Sequence, residues 1–161
     1  MAAKTLVTSY ILSRLDCCNR LLMGTPNSVI RSLQIIINFA ARLILLAPRY
    51  HHSTPLLKRL HWLPISERIK YKVACMCFSA INGSGPAYIS ELLHVYTPSR
   101  TLRSSSDTLI LKIQEYKRKN HGFRTFSCFG PYILNSPPQD LRHCSTGSSF
   151  KAKLKTFLFS Q

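Results

Sequence analysis

Residues 61–83 of the chain read HWLPISERIKYKVACMCFSAING, and this stretch predicts the central helix of the fold. Its apolar side chains recur at spacings of 4, 3 and 4, the periodicity of one helix face: Ile69, Val73, Met76 and Ala80. A more polar stripe precedes that face by one residue at each position: Arg68, Lys72, Cys75 and Ser79. The apolar face therefore predicts packing, and any binding function is expected on the polar side.

The ends of this helix are also marked in the sequence. Pro64 and Ser66 favour a helix start, and Gly83 favours a helix end. Trp62 is the one tryptophan of the chain and its largest apolar anchor, so we expect it in the core.

Charge is the feature that departs most from an ordinary globular protein. The 161 residues suit one domain, or one compact domain with an appendage, but 22 Lys and Arg stand against 6 Asp and Glu, a formal net charge of +16. Self-repulsion of this size opposes folding unless an anion offsets it. Nucleic acid is the first partner this predicts, and an anionic membrane surface is the second.

Two further helices are predicted ahead of the central one. Residues 6–23 form the first, with an apolar stripe: Val7, Ile11, Leu15, Cys18 and Leu22. The second begins near Thr25 and Pro26 and ends near Leu46. Its predicted buried face is Val29, Leu33, Ile36, Ala40 and Leu43, beside a polar stripe of Arg31, Gln34, Asn38 and Arg42. Two antiparallel helices would bury these apolar stripes against each other.

The C-terminal part has a mixed pattern. Residues 96–107 are rich in Ser, Thr, Arg and Pro and predict an extended basic loop between a helical domain, 4–95, and a tail, 108–161. Within the tail, residues 108–113 and 123–126 predict a small β-hairpin, and Ser145 and Thr146 predict the cap of a last helix. The expected fold class is mainly α: an antiparallel helical bundle with a small β-hairpin and a C-terminal helix.

Cysteine usage and hydropathy bear on the compartment. The six cysteines form no C-x-x-C pair and fit no zinc module, and the N-terminus lacks the pattern of a secretory signal. Arg42 interrupts the longest apolar run, so we expect no transmembrane segment. The expected location is intracellular, in the nucleus or cytoplasm.

An enzymatic function is not expected. The six acidic residues are isolated in separate segments, so local sequence offers no two-metal site, and the chain has no glycine-rich phosphate loop. His51-His52 and His143-Cys144 are adjacent pairs, which rarely chelate one tetrahedral ion. We therefore expect no catalytic residues, no metal and no cofactor.

Six blocks occur in order along the chain and carry a family resemblance: LSRLDCCNRLL, NFAARLI, TPLLKRLHWLPISERIKYK, GPAYISELLHVYTPSRTLRSSS, GFRTFS and SSFKAKLKTFLF. From about Lys4 to Phe159, the chain resembles the C-terminal region of reverse transcriptases from non-LTR, LINE-type retrotransposons of the jockey-like kind. The resemblance implies a thumb-like domain over 4–95 that grips template RNA and the primer–template duplex. It also implies that the polymerase palm, with its catalytic aspartates, lies upstream and is missing here.

The chain departs from the family pattern at several positions. Asp16-Cys17-Cys18 stands where the family usually has Asp-Tyr-Cys. Gly130-Pro131, residues 133–135 and Pro137-Pro138 stand where it usually has Ala-Pro, Leu-Trp-Asn and Leu-Pro. The resemblance is therefore that of a truncated, diverged copy of an element.

The leading functional hypothesis is a non-catalytic fragment that binds RNA, DNA or hybrid duplex through phosphates. Its candidate phosphate contacts are basic residues throughout the chain: Arg31, Arg42, Lys58, Arg59, Arg68, Lys72, Arg100, Arg103, Lys117, Arg118, Lys119 and Arg124. Aromatic residues that could stack on bases are Tyr71, Tyr96, Tyr116 and Phe123.

Two alternatives stay open. The last helix places Lys151, Lys153 and Lys155 beside large apolar residues, which is typical of a basic amphipathic helix at a membrane surface. Basicity spread over the whole chain favours nucleic acid instead. The other alternative is a translated remnant without a function of its own.

Overall fold

The structure, a computed structural model, describes residues 2–97, 109–115 and 124–160. These residues are mainly helical, which confirms the predicted fold class. They divide into two compact units, Met1–Ile69 and Lys70–Gln161, and the division falls inside a long helix. Each unit has its own buried side chains.

The N-terminal unit is built from helices and helical turns. In chain order they are α1 (Ala2–Val7), a π-helical turn (Thr8–Leu12), α2 (Ser13–Asp16), a 3-10 turn (Asn19–Leu22), α3 (Asn27–Leu45), α4 (Ser53–Arg59) and the start of α5 (Ile65–Ile81). α3 packs against α1, against the π-helical turn and against α4.

The first predicted helix needs a correction. It ends at Asp16 rather than continuing to residue 23, and the π-helical turn shifts its buried positions. A π turn accommodates one extra residue, so Leu12 rather than Ile11 is buried after Val7. Cys18, expected in the apolar stripe, is exposed.

The buried face of α3 also differs from the prediction. The structure buries Ile37, Ala40 and Ala41, whereas Val29, Ile36 and Leu43 are exposed. A polar contact accompanies this difference: the side chain of Gln34 accepts a hydrogen bond from the Ile65 amide at 2.8 Å, at the start of α5. The buried side of α3 is rotated toward Gln34, so that Ala40 of the predicted face stays buried and Leu33 half-buried, while Arg31 of the polar stripe remains exposed.

Around the start of α5, the prediction of a buried core is confirmed. Trp62 is 6% exposed, and apolar neighbours on either side of it are also buried: Leu56, Leu57, Leu60 and Leu63. The Trp62 amide donates to the Leu57 carbonyl at 2.9 Å, which folds the chain back after α4.

Among its described residues, the C-terminal unit contains the rest of α5 and four further helices: α6 (Ala87–Ser90), α7 (Phe126–Asn135), α8 (Gln139–Arg142) and α9 (Gly147–Ser160). The rings of Phe78 and Phe150 stack with centroids 4.1 Å apart and planes 8° apart. Phe150 and Leu154 are almost fully buried, so α9 contributes an apolar face to this core. Thr146 accepts a hydrogen bond from the Ser149 amide, as expected of the predicted cap.

The predicted face of α5 is largely confirmed. Val73 and Ala80 are buried, while Met76 is half-buried and its neighbour Cys77 is fully buried instead. Cys77 lies where α7 comes closest: a Cβ added at Gly130 would stand 2.8 Å from its Sγ. Glycine at position 130 therefore permits this close contact.

The predicted β-hairpin is wrong in the part of the tail that the structure describes. Leu111 forms an isolated antiparallel bridge with Val95, and Phe126 begins α7 instead of ending a strand. Asn135 holds Leu111 on its other side, since its side chain accepts from the Leu111 amide at 3.0 Å and donates to the Leu111 carbonyl at 2.9 Å. The predicted division at 96–107 stays a prediction, because most of that loop lies outside the described residues.

Candidate nucleic-acid interface

Both compact units carry a surplus of positive charge. Residues 1–69 contain nine Lys and Arg against two acidic residues, and residues 70–161 contain thirteen against four. Acidic side chains are too few to neutralise the basic ones in either unit. The surplus cations must therefore be solvated or meet an external anion.

The end of α4 presents two of the predicted contacts to solvent. Lys58 and Arg59 are exposed, while Leu56 and Leu57, one turn or less before them, are buried. Burial of the two leucines fixes the helix on its apolar side and directs the basic side chains outward. Their positive charge also lies at the C-terminus of the helix, where the helix dipole favours cations.

The arginines of α3 have different environments. Arg31 is exposed near the start of the helix. Arg42 is half-buried, and its guanidinium donates to the His51 carbonyl at 3.2 Å while its Nε is buried without a hydrogen-bond partner. Arg31 is therefore accessible to a phosphate, whereas Arg42 holds the loop between α3 and α4.

Arg68 is engaged within the protein. Its guanidinium donates to Asp16 Oδ1 at 2.6 Å and to the Leu63 carbonyl at 3.1 Å, and only 14% of its side chain is exposed. This ion pair joins the end of α2 to the first turn of α5 within the N-terminal unit. The pairing was not evident from sequence, because 52 residues separate its two partners.

The C-terminal candidates are only partly described. Lys72 and Arg124 are half-buried. Lys72 lies near Cys75, as does Lys151, and both lysines favour the thiolate; burial is the larger effect, however, and raises the pKa of Cys75. The other predicted contacts lie outside the described residues: Arg100, Arg103, Lys117, Arg118 and Lys119.

The exposed face of α9 carries the three lysines on which the alternative of a membrane surface rests. Lys151, Lys153 and Lys155 are exposed, whereas Phe150, Leu154 and Leu158 of the same helix are buried in the unit. Most of the apolar side is thus occupied by core packing, while Phe159 stays half-buried and Lys155 Nζ lies 6.0 Å from the centre of its ring. Further exposed basic residues absent from the candidate set are Lys4, Arg14, Arg20, Arg49 and Lys112.

The predicted stacking residues also separate by exposure. Tyr96 is 49% exposed, whereas Tyr71 is half-buried, and burial together with Cys75 raises the pKa of Tyr71 to about 12. Tyr71 is therefore a packing residue that stays neutral at ordinary pH. Tyr116 and Phe123 lie outside the described residues.

One surface in the N-terminal unit is apolar rather than basic. α3 exposes large side chains along its outer side: Ile35, Ile36, Phe39, Leu43 and Leu46. Among the described residues, α3 is the helix whose length and composition would suit a membrane span, a criterion that core helices of water-soluble proteins also meet. Its exposed side is the feature on which a membrane-surface function would rest.

The C-terminal unit contains a small, partly open cavity with a mixed polar and apolar lining. Its volume is about 220 Å³, and its lining residues come from α5, α7, the loop after α7, and α9: Lys70, Tyr132, Ile133, Ser136, Pro137, Leu154, Phe157 and Leu158. Within residues 2–97, 109–115 and 124–160, no three His, Cys, Asp or Glu side chains form a group that could hold a metal ion.

Comparison of the chain with protein-family models, with curated proteins and with solved structures finds no match.

Proposed function

We propose that this chain binds RNA and DNA non-specifically through the sugar–phosphate backbone and is not itself catalytic. The observation that carries the proposal is the surplus of cations in both compact units, many of them on exposed helical surfaces. A polyanion neutralises such a surplus without a preformed pocket. The resemblance to the C-terminal region of a retrotransposon reverse transcriptase also supports a nucleic-acid partner. The protein would then be located inside the cell.

The exposed cations are the proposed contacts. In the N-terminal unit they are Arg31 on α3 and the Lys58–Arg59 pair at the end of α4. In the C-terminal unit they are the lysines of α9. Arg42 and Arg68 have structural roles instead, because their guanidinium groups already donate to groups within the protein.

This binding mode predicts little sequence preference. Lys and Arg that contact phosphates position a protein on nucleic acid, but they read no base edges. Affinity comes largely from release of counterions condensed on the nucleic acid, so it depends steeply on salt. An exposed aromatic residue such as Tyr96 would add stacking that tolerates any base.

The test is a salt titration of the purified chain against labelled RNA, DNA and hybrid duplexes by fluorescence anisotropy. If about six phosphates are contacted, affinity falls on the order of a thousandfold between about 50 and 200 mM salt. Affinity that does not change with salt would contradict the proposal.

A membrane surface is the competing outcome. Vesicles that contain anionic lipids provide the comparison at equal salt, since they offer the same charge attraction without a nucleic acid. The proposal expects tighter binding to RNA or hybrid duplex than to these vesicles. Tighter binding to the vesicles would instead favour a membrane-surface function that uses the apolar side of α3.

A further inference from the structure

Two exposed thiols lie side by side between α2 and the 3-10 turn. Cys17 and Cys18 are both exposed, and their Sγ atoms are 3.9 Å apart. The other four cysteines are buried or half-buried, at positions 75, 77, 128 and 144. Cys17 and Cys18 therefore carry the most accessible thiol groups on the described surface.

The backbone of this pair is held in a turn. Cys17 has φ −65° and ψ 123°, and Cys18 has φ 52° and ψ 18°, which are close to the central residues of a type II turn. An L residue other than Asn or Asp rarely takes the second of these conformations. The flanking residues fix it: Asp16 pairs with Arg68, and the buried Asn19 donates to Asp16 Oδ1 at 3.4 Å.

We propose that Cys17 and Cys18 are a redox modification site, at which a low-molecular-weight disulfide of the glutathione class joins the two thiols in a reversible vicinal disulfide. The turn directs both sulfurs to the same side of the chain. In a β-strand, by contrast, adjacent side chains point to opposite faces. The proposal is independent of nucleic-acid binding, because neither cysteine is among the proposed phosphate contacts.

The hydrogen bond between the thiols assigns their order of reaction. The Cys17 thiol donates to Cys18 Sγ, and this hydrogen bond raises the pKa of Cys17, so Cys17 keeps its proton during the first step. The Cys18 thiolate attacks one sulfur of the oxidant, so the S–S bond of the oxidant breaks and one thiolate leaves. A mixed disulfide remains on Cys18.

The second step closes the ring. Cys17 loses its proton to solvent, its thiolate attacks Cys18 Sγ, and the second thiolate of the oxidant leaves. The two leaving thiolates take up the two protons that the cysteines released. In balance, two protein thiols are oxidised to one disulfide, and the external disulfide is reduced to two thiols.

Strain makes this disulfide readily reducible. The Cα atoms of neighbouring residues across a trans peptide bond are about 3.8 Å apart. Most disulfides join Cα atoms separated by about 4.4 to 6.8 Å, and a shorter separation makes the bond easier to reduce. A labile bond of this kind suits reversible modification rather than permanent cross-linking.

Mass spectrometry of the intact chain in a glutathione redox buffer tests the site. After an acid quench, trypsin releases residues 15–20, LDCCNR, which contain both thiols and no other cysteine. The expected product is this peptide with two hydrogen atoms fewer and no glutathione adduct. Because the native turn already places Cys18 in its rare conformation, the yield should exceed that of the urea-unfolded chain about tenfold.

Single substitutions separate the roles of the two thiols. C17S should accumulate a glutathione adduct on Cys18, C18S should react more slowly, and C144S should behave like the unchanged chain. Three results would overturn the proposal: a stable adduct as the end product in the unchanged chain, equal ring yield in urea, or a bond from either thiol to a third cysteine.

Discussion

At the scale of single residues, the Asp16–Arg68 pair shows how a basic residue can be removed from a binding surface. Arg68 shares a polar stripe with Lys72 in the sequence, and nothing local distinguishes the two. Its guanidinium nevertheless contacts Asp16 at 2.6 Å, with 14% and 29% of the two side chains exposed. A pair so shielded from water is expected to contribute more to folding than an exposed one.

We expect this pair to be measurable by a double-mutant cycle of D16N and R68Q. Because the pair is largely shielded and Arg68 has a second hydrogen bond, the coupling free energy should be about 1 to 2 kcal/mol. Chemical denaturation of the four proteins gives the value. The exposed R14Q is the matched control, and a coupling under about 0.3 kcal/mol would contradict the assignment, because that is the level of simple additivity.

Cys77 allows a prediction on pH. Burial raises the pKa of the Cys77 thiol from 9.0 to about 12. The unfolded chain releases this proton above about pH 9 while the folded protein retains it, so the stability that this group contributes is present below pH 9 and is lost as the pH rises toward 12. The unfolding free energy should therefore fall with pH in this range.

The substitution C77A should flatten that dependence. One titrating group contributes a slope of up to about 1.4 kcal/mol per pH unit, so the variant should lose about this much slope between the two pKa values. Denaturation at a series of alkaline pH values measures it. Tyr71, whose pKa is also raised to about 12, keeps its own contribution above pH 10 in both proteins. An unchanged slope in C77A would show that the buried thiol does not titrate on unfolding.

At the scale of elements, Asn135 connects a helix to a segment without regular structure. Its side chain occupies both the amide and the carbonyl of Leu111, which Val95 approaches from the other side. These two hydrogen bonds satisfy the Leu111 backbone groups, which the predicted hairpin would have paired with a second strand. Asn135 therefore holds the middle of residues 109–115 against α7, while the Cys128 thiol donates to the Gln114 carbonyl at 3.2 Å further along the segment.

Replacing Asn135 by leucine should release that segment. Both backbone groups of Leu111 would lose their partners in a partly buried place, at a cost of about 1 to 3 kcal/mol. Hydrogen exchange of the Leu111 amide reports the loss directly, and N27A, at an exposed position, is the control. If Leu111 keeps its protection in N135L, the amide is held by another contact.

Sequence could predict where most helices form and part of what they bury, but not the contacts between distant residues that set which side of a helix is covered. The burial of Trp62, Val73 and Ala80 could be predicted, because their apolar face has polar neighbours. α3 is also strongly amphipathic, yet its buried side is rotated from the predicted face toward Gln34, which contacts the distant Ile65 amide, and local sequence does not reveal that contact. The π-helical turn after α1 has no signal in local sequence, and it displaced the expected stripe by one residue.

The candidate site was predictable in the same limited sense. Composition alone predicts a polyanionic partner, because no arrangement of six acidic residues can pair 22 basic ones. It does not tell an accessible cation from an engaged one, which is why Arg42 and Arg68 were expected beside Lys58 and Arg59. That distinction depends on contacts with His51 and Asp16, and these require the fold.

At the scale of the whole molecule, charge is distributed rather than gathered in one place. Each compact unit has a surplus of cations, so no single substitution is expected to abolish binding to a polyanion. Losses should instead accumulate as changes in the salt dependence. Groups of substitutions are therefore the informative experiment.

Two triple substitutions to glutamine should each weaken RNA binding through the salt slope. One removes Lys151, Lys153 and Lys155 from the exposed side of α9, and the other removes Lys117, Arg118 and Lys119, which lie outside the described residues. Each lost phosphate contact lowers the slope by about one, so each triple should lower it by up to about three. Anisotropy titrations at several salt concentrations measure both.

A last variant distinguishes the two anionic surfaces. The substitutions F39Q and L43Q make the exposed side of α3 polar without removing charge, since both side chains are more than half exposed. RNA affinity and its salt slope should stay unchanged, because apolar side chains make no phosphate contacts. Binding to anionic vesicles, where it occurs, should weaken, because buried apolar area supplies part of that affinity. If RNA binding fell with this variant, or the α9 triple abolished vesicle binding and left RNA binding intact, the membrane surface would be the better assignment.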